Sequence, residues 1–229
     1  LALKVGAELN ILIIGASRGI GLEFVRQYAH AGDRVIATAR SEEGLQRINA
    51  LGAQALKLDV LDAASASGLA WQIDGEALDV VVINAGVFGP RIAALEPPSQ
   101  DDFDAVMRTN VLGPMRVIPQ LTDGLAPGAK LAVLSSRMGS IGLRESAGAS
   151  LYRASKAALN SVLKDASLAM KSQAICIALH PGWVRTDMGG TGADIAVDES
   201  VSGMRQVIAD LSLEDNGSFI NFDGQRLPW

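Results

Sequence analysis

The sequence predicts an α/β fold, a doubly wound parallel sheet of about seven strands with helices on both faces. Three observations predict it. Short aliphatic or β-branched runs, each bounded by Gly, Pro, Asp, Asn or Ser, alternate with longer stretches of helical spacing along the whole chain. Strict alternation of that kind builds βαβ units with right-handed crossovers. Of the 229 residues, 48% are hydrophobic but only 4% aromatic, a mix that suits parallel strands buried under helices.

The strand runs are Leu9–Ile14, Arg34–Ala39, Gln54–Leu58, Leu78–Ile83, Lys130–Leu134, Ala174–Leu179 and Ser218–Phe222. Between them the helical stretches are roughly Gly19–Ala31, Glu42–Leu51, Ala63–Ile73, Ser99–Gly124, Leu151–Lys171 and Asp198–Leu211. Pro114 and Pro119 fall inside the fourth stretch and are expected to bend or interrupt it. No linker, low-complexity tract or repeat divides the chain, so residues 1–229 read as one domain. The opening segment runs directly into a glycine-rich turn and reads as a first strand, not a signal peptide.

Composition argues against several classes of function. A net charge of −5 and a pI near 5.1 speak against nucleic acid as the main partner. No apolar run is long enough to predict a membrane span. The single cysteine, Cys176, allows no internal disulfide framework, and its apolar neighbours read as those of a buried core thiol in a reducing, cytoplasmic setting. Two scattered histidines and one cysteine supply no clustered metal ligands. His180 reads as a strand-end residue before Pro181, without a catalytic role.

The first strand ends in Gly15-Ala16-Ser17-Arg18-Gly19-Ile20-Gly21, and a helical pattern follows. Glycines let the chain turn sharply and let backbone amides approach an anion, while the next helix offers free N–H groups and its positive dipole end. Gly15, Ser17, Arg18, Gly19, Ile20 and Gly21 are therefore expected to hold a dinucleotide pyrophosphate. An acidic residue closing the second strand would bind the ribose hydroxyls of NAD(H). This chain has Arg40 there instead, followed by Ser41. With Arg18 these form a set suited to a ribose 2′-phosphate, so NADP(H) is expected in preference to NAD(H).

Tyr152 and Lys156 stand four residues apart, on one face of a predicted helix. A free phenol titrates near 10 and is a poor base at neutral pH, but a nearby ammonium and a positively charged nicotinamide favour the phenolate. Tyr152 can then exchange a proton with a substrate oxygen while hydride moves at the nicotinamide.

The G-x-x-x-G-x-G spacing at Gly15, Gly19 and Gly21 resembles the short-chain dehydrogenase/reductase family, and the Tyr152/Lys156 pair fits it. The resemblance implies a Rossmann-type domain and assigns further residues. Asp59 and Val60 match the pair beside the adenine, and Asn84-Ala85-Gly86 the turn under the cofactor. Asn110 matches the helix asparagine that holds a water beside the lysine. Ser136 matches the serine that binds the substrate carbonyl, with Ser140 as the fallback because Tyr152 follows Ser136 at sixteen positions, longer than the family's commonest spacing. Pro181, Gly182, Val184 and Thr186 match the segment near the nicotinamide carboxamide. Ile14 replaces the family's usual Thr before the first glycine, which removes one expected supporting hydrogen bond.

Past Thr186, the Gly-rich Asp187–Asp198 reads as a lid, and Val87, Met138, Arg144, Trp183 and Met188 as candidate pocket walls. Ser136 to Ser140, the short lid and the ending Phe222 to Trp229 look similar to the C-factor and sniffer carbonyl-reductase subgroup. That likeness implies NADPH-dependent reduction of aldehydes, ketones or quinones, with an NADP-binding signalling or sensor protein as the alternative. A nucleotide-sugar epimerase fits less well, since the chain lacks length for that branch's added substrate domain. The family likeness also implies a homodimer or homotetramer through the helices of Ser99–Gly124 and Leu151–Lys171. The small face Ala154, Ala157, Ala158 and Ser161 is the candidate contact.

Overall fold

In the computed structural model, which describes residues 8–91, 95–190 and 192–229, eight strands form one sheet in the order β3-β2-β1-β4-β5-β6-β7-β8. They are β1 (Asn10–Ile14), β2 (Arg34–Ala39), β3 (Gln54–Lys57), β4 (Leu78–Ile83), β5 (Leu125–Leu134), β6 (Ala174–His180), β7 (Ser218–Asn221) and β8 (Arg226–Leu227). All pairings are parallel except β7 with β8. The helices are α1 (Gly19–His30), α2 (Glu42–Ala50), α3 (Ala63–Ser67), α4 (Leu69–Gln72), α5 (Gln100–Met107), α6 (Gly113–Val117), α7 (Ser150–Ala169) and α8 (Val197–Asp210).

The continuous hydrophobic runs follow from burial on both sides of the sheet. Leu12 and Ile14 join Leu159 and Leu163 of α7 in one core layer. Their neighbours Ile11 and Ile13 join Phe24 and Tyr28 of α1 and Met204 of α8 in the other. Each fully buried Leu or Ile stabilises the fold by about 1.5–3 kcal/mol relative to exposure, so neither face tolerates a polar residue without a partner.

Three details depart from the sequence reading, and a fourth, the interruption of Ser99–Gly124, follows it. The stretch Ala63–Ile73 breaks into α3 and α4 at Gly68, which caps the first and starts the second; glycine is a poor helix interior residue. The stretch Ser99–Gly124 runs as α5, a π-helical turn over Arg108–Leu112, α6, and a 3₁₀ segment over Ile118–Gly124. Pro114 and Pro119 stand in the first turns of the last two segments, where a missing N–H is harmless. β5 begins at Leu125 rather than Lys130, with a register shift where Leu78 pairs Leu125 and Val80 pairs Lys130. The eighth strand escaped detection at two residues, although Asp223-Gly224, with Gly224 at φ +89°, is the turn signal of a hairpin.

The chain crosses from β3 at one edge to β4 beside β1, so β1 and β4 flank the switch point of the sheet. In open α/β sheets the crevice at such a point, outside the C-terminal strand ends, is where ligands bind. Among the described residues no helix is long and apolar enough to cross a membrane.

Candidate functional site

The turn after β1 is pinned from two sides. Gly15 adopts φ +86°; its N–H donates to Thr38 Oγ1 at 3.0 Å and its carbonyl accepts from Asn84 Nδ2 at 2.6 Å. A Cβ at Gly15 would lie 2.8 Å from the Ala85 nitrogen, and one at Gly21 would lie 2.6 Å from Asn84 Nδ2. Both positions need glycine because backbone and amide occupy that space. Thr38, on β2, supplies a hydrogen bond at the very turn where Ile14 was expected to leave one missing.

The helix that follows is left open to an anion. Ser41, Asp62 and Ser99 cap α2, α3 and α5 with their own side-chain oxygens. α1 has no side-chain cap and no acidic residue in its first turn, so its leading amides and dipole face the crevice unneutralised. Around this point stand three arginines. Arg40 lines the crevice and makes no hydrogen bond or ion pair among the described residues. Arg18 pairs with Asp187. Arg47 of α2, missed in the sequence, donates to the Ser17 carbonyl at 3.1 Å and pairs with Glu43. Its signal was present in retrospect, as a basic residue two helical turns past Arg40.

One crevice of about 540 Å³ connects these groups to the centre of the sheet. Its walls include Gly15, Ser17, Arg18, Gly19, Ile20, Arg40, Val60, Asn84, Ala85, Gly86, Tyr152, Lys156, Pro181 and Thr186. Fourteen separate expectations thus fall on one surface, with Thr186 across from Gly19: a Cβ on Gly19 would meet the Thr186 methyl at 3.6 Å. The other expected residues sit beside or behind it. Ser41 Oγ accepts from Gly44 N–H at 3.2 Å as the α2 cap. Asp59 Oδ1 accepts from Leu61 N–H at 3.0 Å and shapes the loop that presents Val60. Gly182, at φ +83°, and Val184, bridged to Ile195, support the segment that carries Thr186.

At the deep end, α7 places Tyr152 and Lys156 on one face. The Lys156 ammonium donates to the Leu134 carbonyl at 2.8 Å and lies 5.8 Å from the centre of the Tyr152 ring. Burial lowers its pKa to about 8. Burial raises that of Tyr152, opposed by the nearby Ser136 hydroxyl. Ser136 also caps the short 3₁₀ turn at Arg137–Gly139, accepting from Met138 N–H at 3.2 Å. Ser140 faces elsewhere, donating to the Pro228 carbonyl at 2.7 Å.

Asn110, fully buried within the π-helical turn, is engaged through its side chain. Nδ2 donates to the Val87 carbonyl and to Ser155 Oγ, and Oδ1 accepts from Val87 N–H, all within 2.8–2.9 Å. It therefore clamps the loop after Gly86 in place. Of the candidate walls, Val87 and Met188 line the crevice; Trp183, Met138 and Arg144 do not. Phe88, missed in the sequence, stacks on Tyr152 with ring centres 4.5 Å apart and planes at 27°, and the Arg91 guanidinium lies over the Phe88 ring, 5.0 Å from its centre. Nothing in the sequence marked Phe88, because its partner is distant along the chain. Among the described residues no cluster of His, Cys, Asp and Glu is set to hold a metal.

Known proteins resemble this arrangement. A family model described as short chain dehydrogenase matches residues 9–195. C-signal of Myxococcus xanthus is 40% identical over 155 residues, covering 66% of this chain and 93% of its own. The carbonyl reductase Sniffer of D. melanogaster superposes with a TM-score of 0.87 at 29% identity, over 97% of this chain and 100% of that one. A carbonyl reductase from Pseudomonas aeruginosa PAO1 in complex with NADP does so with a TM-score of 0.84 at 33% identity, over 97% and 100%.

Proposed function

The chain belongs to the short-chain dehydrogenase family of oxidoreductases, and on that premise we propose that it is an NADPH-dependent reductase of aldehydes, ketones or quinones. The observation that carries this reading is the placement of Tyr152 and Lys156 at one end of a crevice whose other end is the uncapped start of α1. The residues present fit NADP(H). Glycine at positions 15 and 21 lets the turn close tightly on Ala85 and Asn84, the α1 amides suit the pyrophosphate, and Arg40, unpaired among the described residues, suits the 2′-phosphate together with Arg18. With the coenzyme bound, Ser41, Asp59 and Val60 would serve the adenosine end, and Pro181, Gly182, Val184 and Thr186 the nicotinamide end.

When bound, the coenzyme supplies the hydride. The Tyr152 hydroxyl, protonated at neutral pH because burial disfavours the phenolate, gives its proton to the carbonyl oxygen as the alcohol forms. Ser136 hydrogen-bonds the same carbonyl oxygen and polarises it. Lys156, largely an ammonium at neutral pH, stabilises the phenolate left on Tyr152. The Leu134 carbonyl fixes the direction of that ammonium, and Asn110 fixes the loop opposite it. The hydrogen bonding supports Ser136 over Ser140, since Ser140 is spent on the C-terminal segment.

We read residues 1–229 as a single domain of this kind, acting on a small molecule and assembling as a homodimer or homotetramer. Ala154 and Ser161 are exposed on α7, as such a contact requires; light scattering that returns a monomer mass at micromolar concentration refutes the assembly.

A second reading, an NADP-binding signalling protein with little turnover, is favoured by the similarity to C-signal. NADPH and NADH oxidation with a panel of aldehydes, ketones and quinones separates the two. Turnover that prefers NADPH and is lost in Tyr152→Phe supports the reductase. Binding of NADP without turnover across the panel supports the second reading.

A further inference from the structure

Among the described residues, four buried side-chain atoms have no hydrogen-bond partner: Asn160 Nδ2, His180 Nδ1, Asn221 Oδ1 and Arg205 Nε. The first three gather at one place. His180 and Asn221 are register partners at the ends of β6 and β7. Ser135 stands beside His180, since Leu134 pairs Leu179 and Ser135 N–H donates to the Leu179 carbonyl at 2.9 Å. Ser135 Oγ in turn donates to Asn160 Oδ1 of α7 at 2.5 Å. Two residues earlier on each strand, Val133, Ala178 and Phe219 belong to the core layer shared with Leu159 and Leu163 of α7. By strand alternation the row Ser135, His180, Asn221 therefore projects toward the same helix.

The unmet groups match one another in kind. Asn160 Nδ2 is a donor and Asn221 Oδ1 an acceptor. His180 Nδ1 is an acceptor whenever the ring is neutral with its proton on Nε2. Burial, reinforced by Arg137 and opposed by Asp223, lowers the His180 pKa to about 4, so the ring is neutral at neutral pH. One donor and two acceptors are what a single water satisfies, accepting once and donating twice, and buried waters characteristically serve such groups.

We propose that one ordered water is held by Asn160, His180 and Asn221, and that it makes Asn160 and Ser135 positioning residues for the floor beneath Lys156. The water holds the amide nitrogen of Asn160, which fixes the amide oxygen on the Ser135 hydroxyl. Ser135, a wall of the crevice, then directs its proton inward and its lone pairs outward. Its peptide includes the Leu134 carbonyl that receives the Lys156 ammonium, so this buried chain orients the lysine's anchor. The water itself follows from the fold alone; its bearing on Lys156 rests on the reductase reading.

The test uses His180→Phe, which keeps ring bulk without Nδ1, His180→Asn, whose amide oxygen replaces that acceptor, and Asn160→Leu. A crystal structure of the full chain shows a water within hydrogen-bond reach of all three atoms; a dry site overturns the proposal. In thermal denaturation the double variant His180→Phe/Asn160→Leu is expected to melt no lower than the weaker single, because both lose the same water. Additive losses overturn it. In turnover, kcat falls several-fold in His180→Phe at unchanged KM for NADPH, and His180→Asn restores it. Wild-type kcat in a folded His180→Phe chain overturns the positioning role. Absence of turnover in the wild type overturns the reductase reading, and the structure and the melting cycle still decide on the water.

Discussion

Replacing Lys156 by Met removes one buried ammonium and keeps most of the stem. Lys156 is 5% exposed, and burial lowers its pKa from 10.5 to about 8. Below that value both folded and unfolded chains carry the proton, and the fold bears the cost of an ammonium out of water. Between about pH 8 and pH 10.5 the unfolded chain keeps a proton that the folded chain has released. The unfolded state then binds more protons, so stability rises with pH across that window. At about 1.4 kcal/mol per pKa unit, the gain is at most roughly 3.5 kcal/mol.

Other groups titrate nearby with the opposite sign. Burial pushes the Cys176 thiol from 9.0 up to about 12 and raises the Tyr152 phenol above 10.0. The folded chain holds those protons longer, which lowers stability as pH rises past the unfolded values. The Cys176 contribution is common to both proteins and cancels in the difference, and below about pH 9.5 the Tyr152 phenol beside Lys156 keeps its proton in both states. Urea denaturation of the coenzyme-free wild type and Lys156→Met, from about pH 7 to about pH 9.5, isolates the lysine. The wild type gains stability relative to the variant as pH rises. A difference that stays flat across the window refutes the claim that the crevice desolvates this ammonium.

Arg40→Asp places a carboxylate where the 2′-phosphate is expected. The lost charge-assisted bond is worth about 1.5–3 kcal/mol, or roughly 10–100-fold in kcat/KM for NADPH, with NADH use rising; an unchanged coenzyme ratio in steady-state kinetics refutes it. Thr38→Val removes the acceptor of Gly15 N–H and leaves a buried donor unmet. The cost is about 1–3 kcal/mol of stability in chemical denaturation, with weaker NADP binding by fluorescence titration, whereas wild-type values for both count against the anchor. Phe88→Ala uncovers the face of Tyr152. KM for bulky carbonyls is expected to shift while NADPH affinity stays constant, and unchanged KM across substrates of all sizes removes Phe88 from the substrate pocket.

The sheet was legible because its strands are buried on both faces, so composition alone marks them. Length was less legible. Pro127 and Gly128 punctuate the sequence before Lys130, yet the chain is already extended at Leu125, because pairing with β4 resumes across an irregularity. The glycine turn and the Tyr152/Lys156 pair were legible because each is set by local spacing. What stayed hidden were contacts between distant segments. Phe88 meets Tyr152 across 64 residues, the meeting of His180 with Asn221 is defined only by strand register, and that of Asn160 with Ser135 by the packing of α7 on the sheet. Local sequence carries no trace of such neighbours.

The turn at Gly15 shows why a missing motif residue is a weak objection on its own. Ile14 cannot donate or accept with its side chain, and it points into the core at 0% exposure. The physical requirement is not a threonine at that position but a partner for the groups that hold the turn. Parallel pairing of β1 with β2 puts Ile13 beside Ala37, which brings the next residue on β2, Thr38, alongside the end of β1. Its hydroxyl takes the Gly15 N–H from the neighbouring strand, while Asn84 takes the Gly15 carbonyl from β4's far end. The turn is thus held by both strands that flank β1. A side chain at position 14 can therefore serve the core without loosening the phosphate-binding loop. The same logic makes Thr38 the residue whose replacement separates a turn held by tertiary contacts from one held by its own sequence.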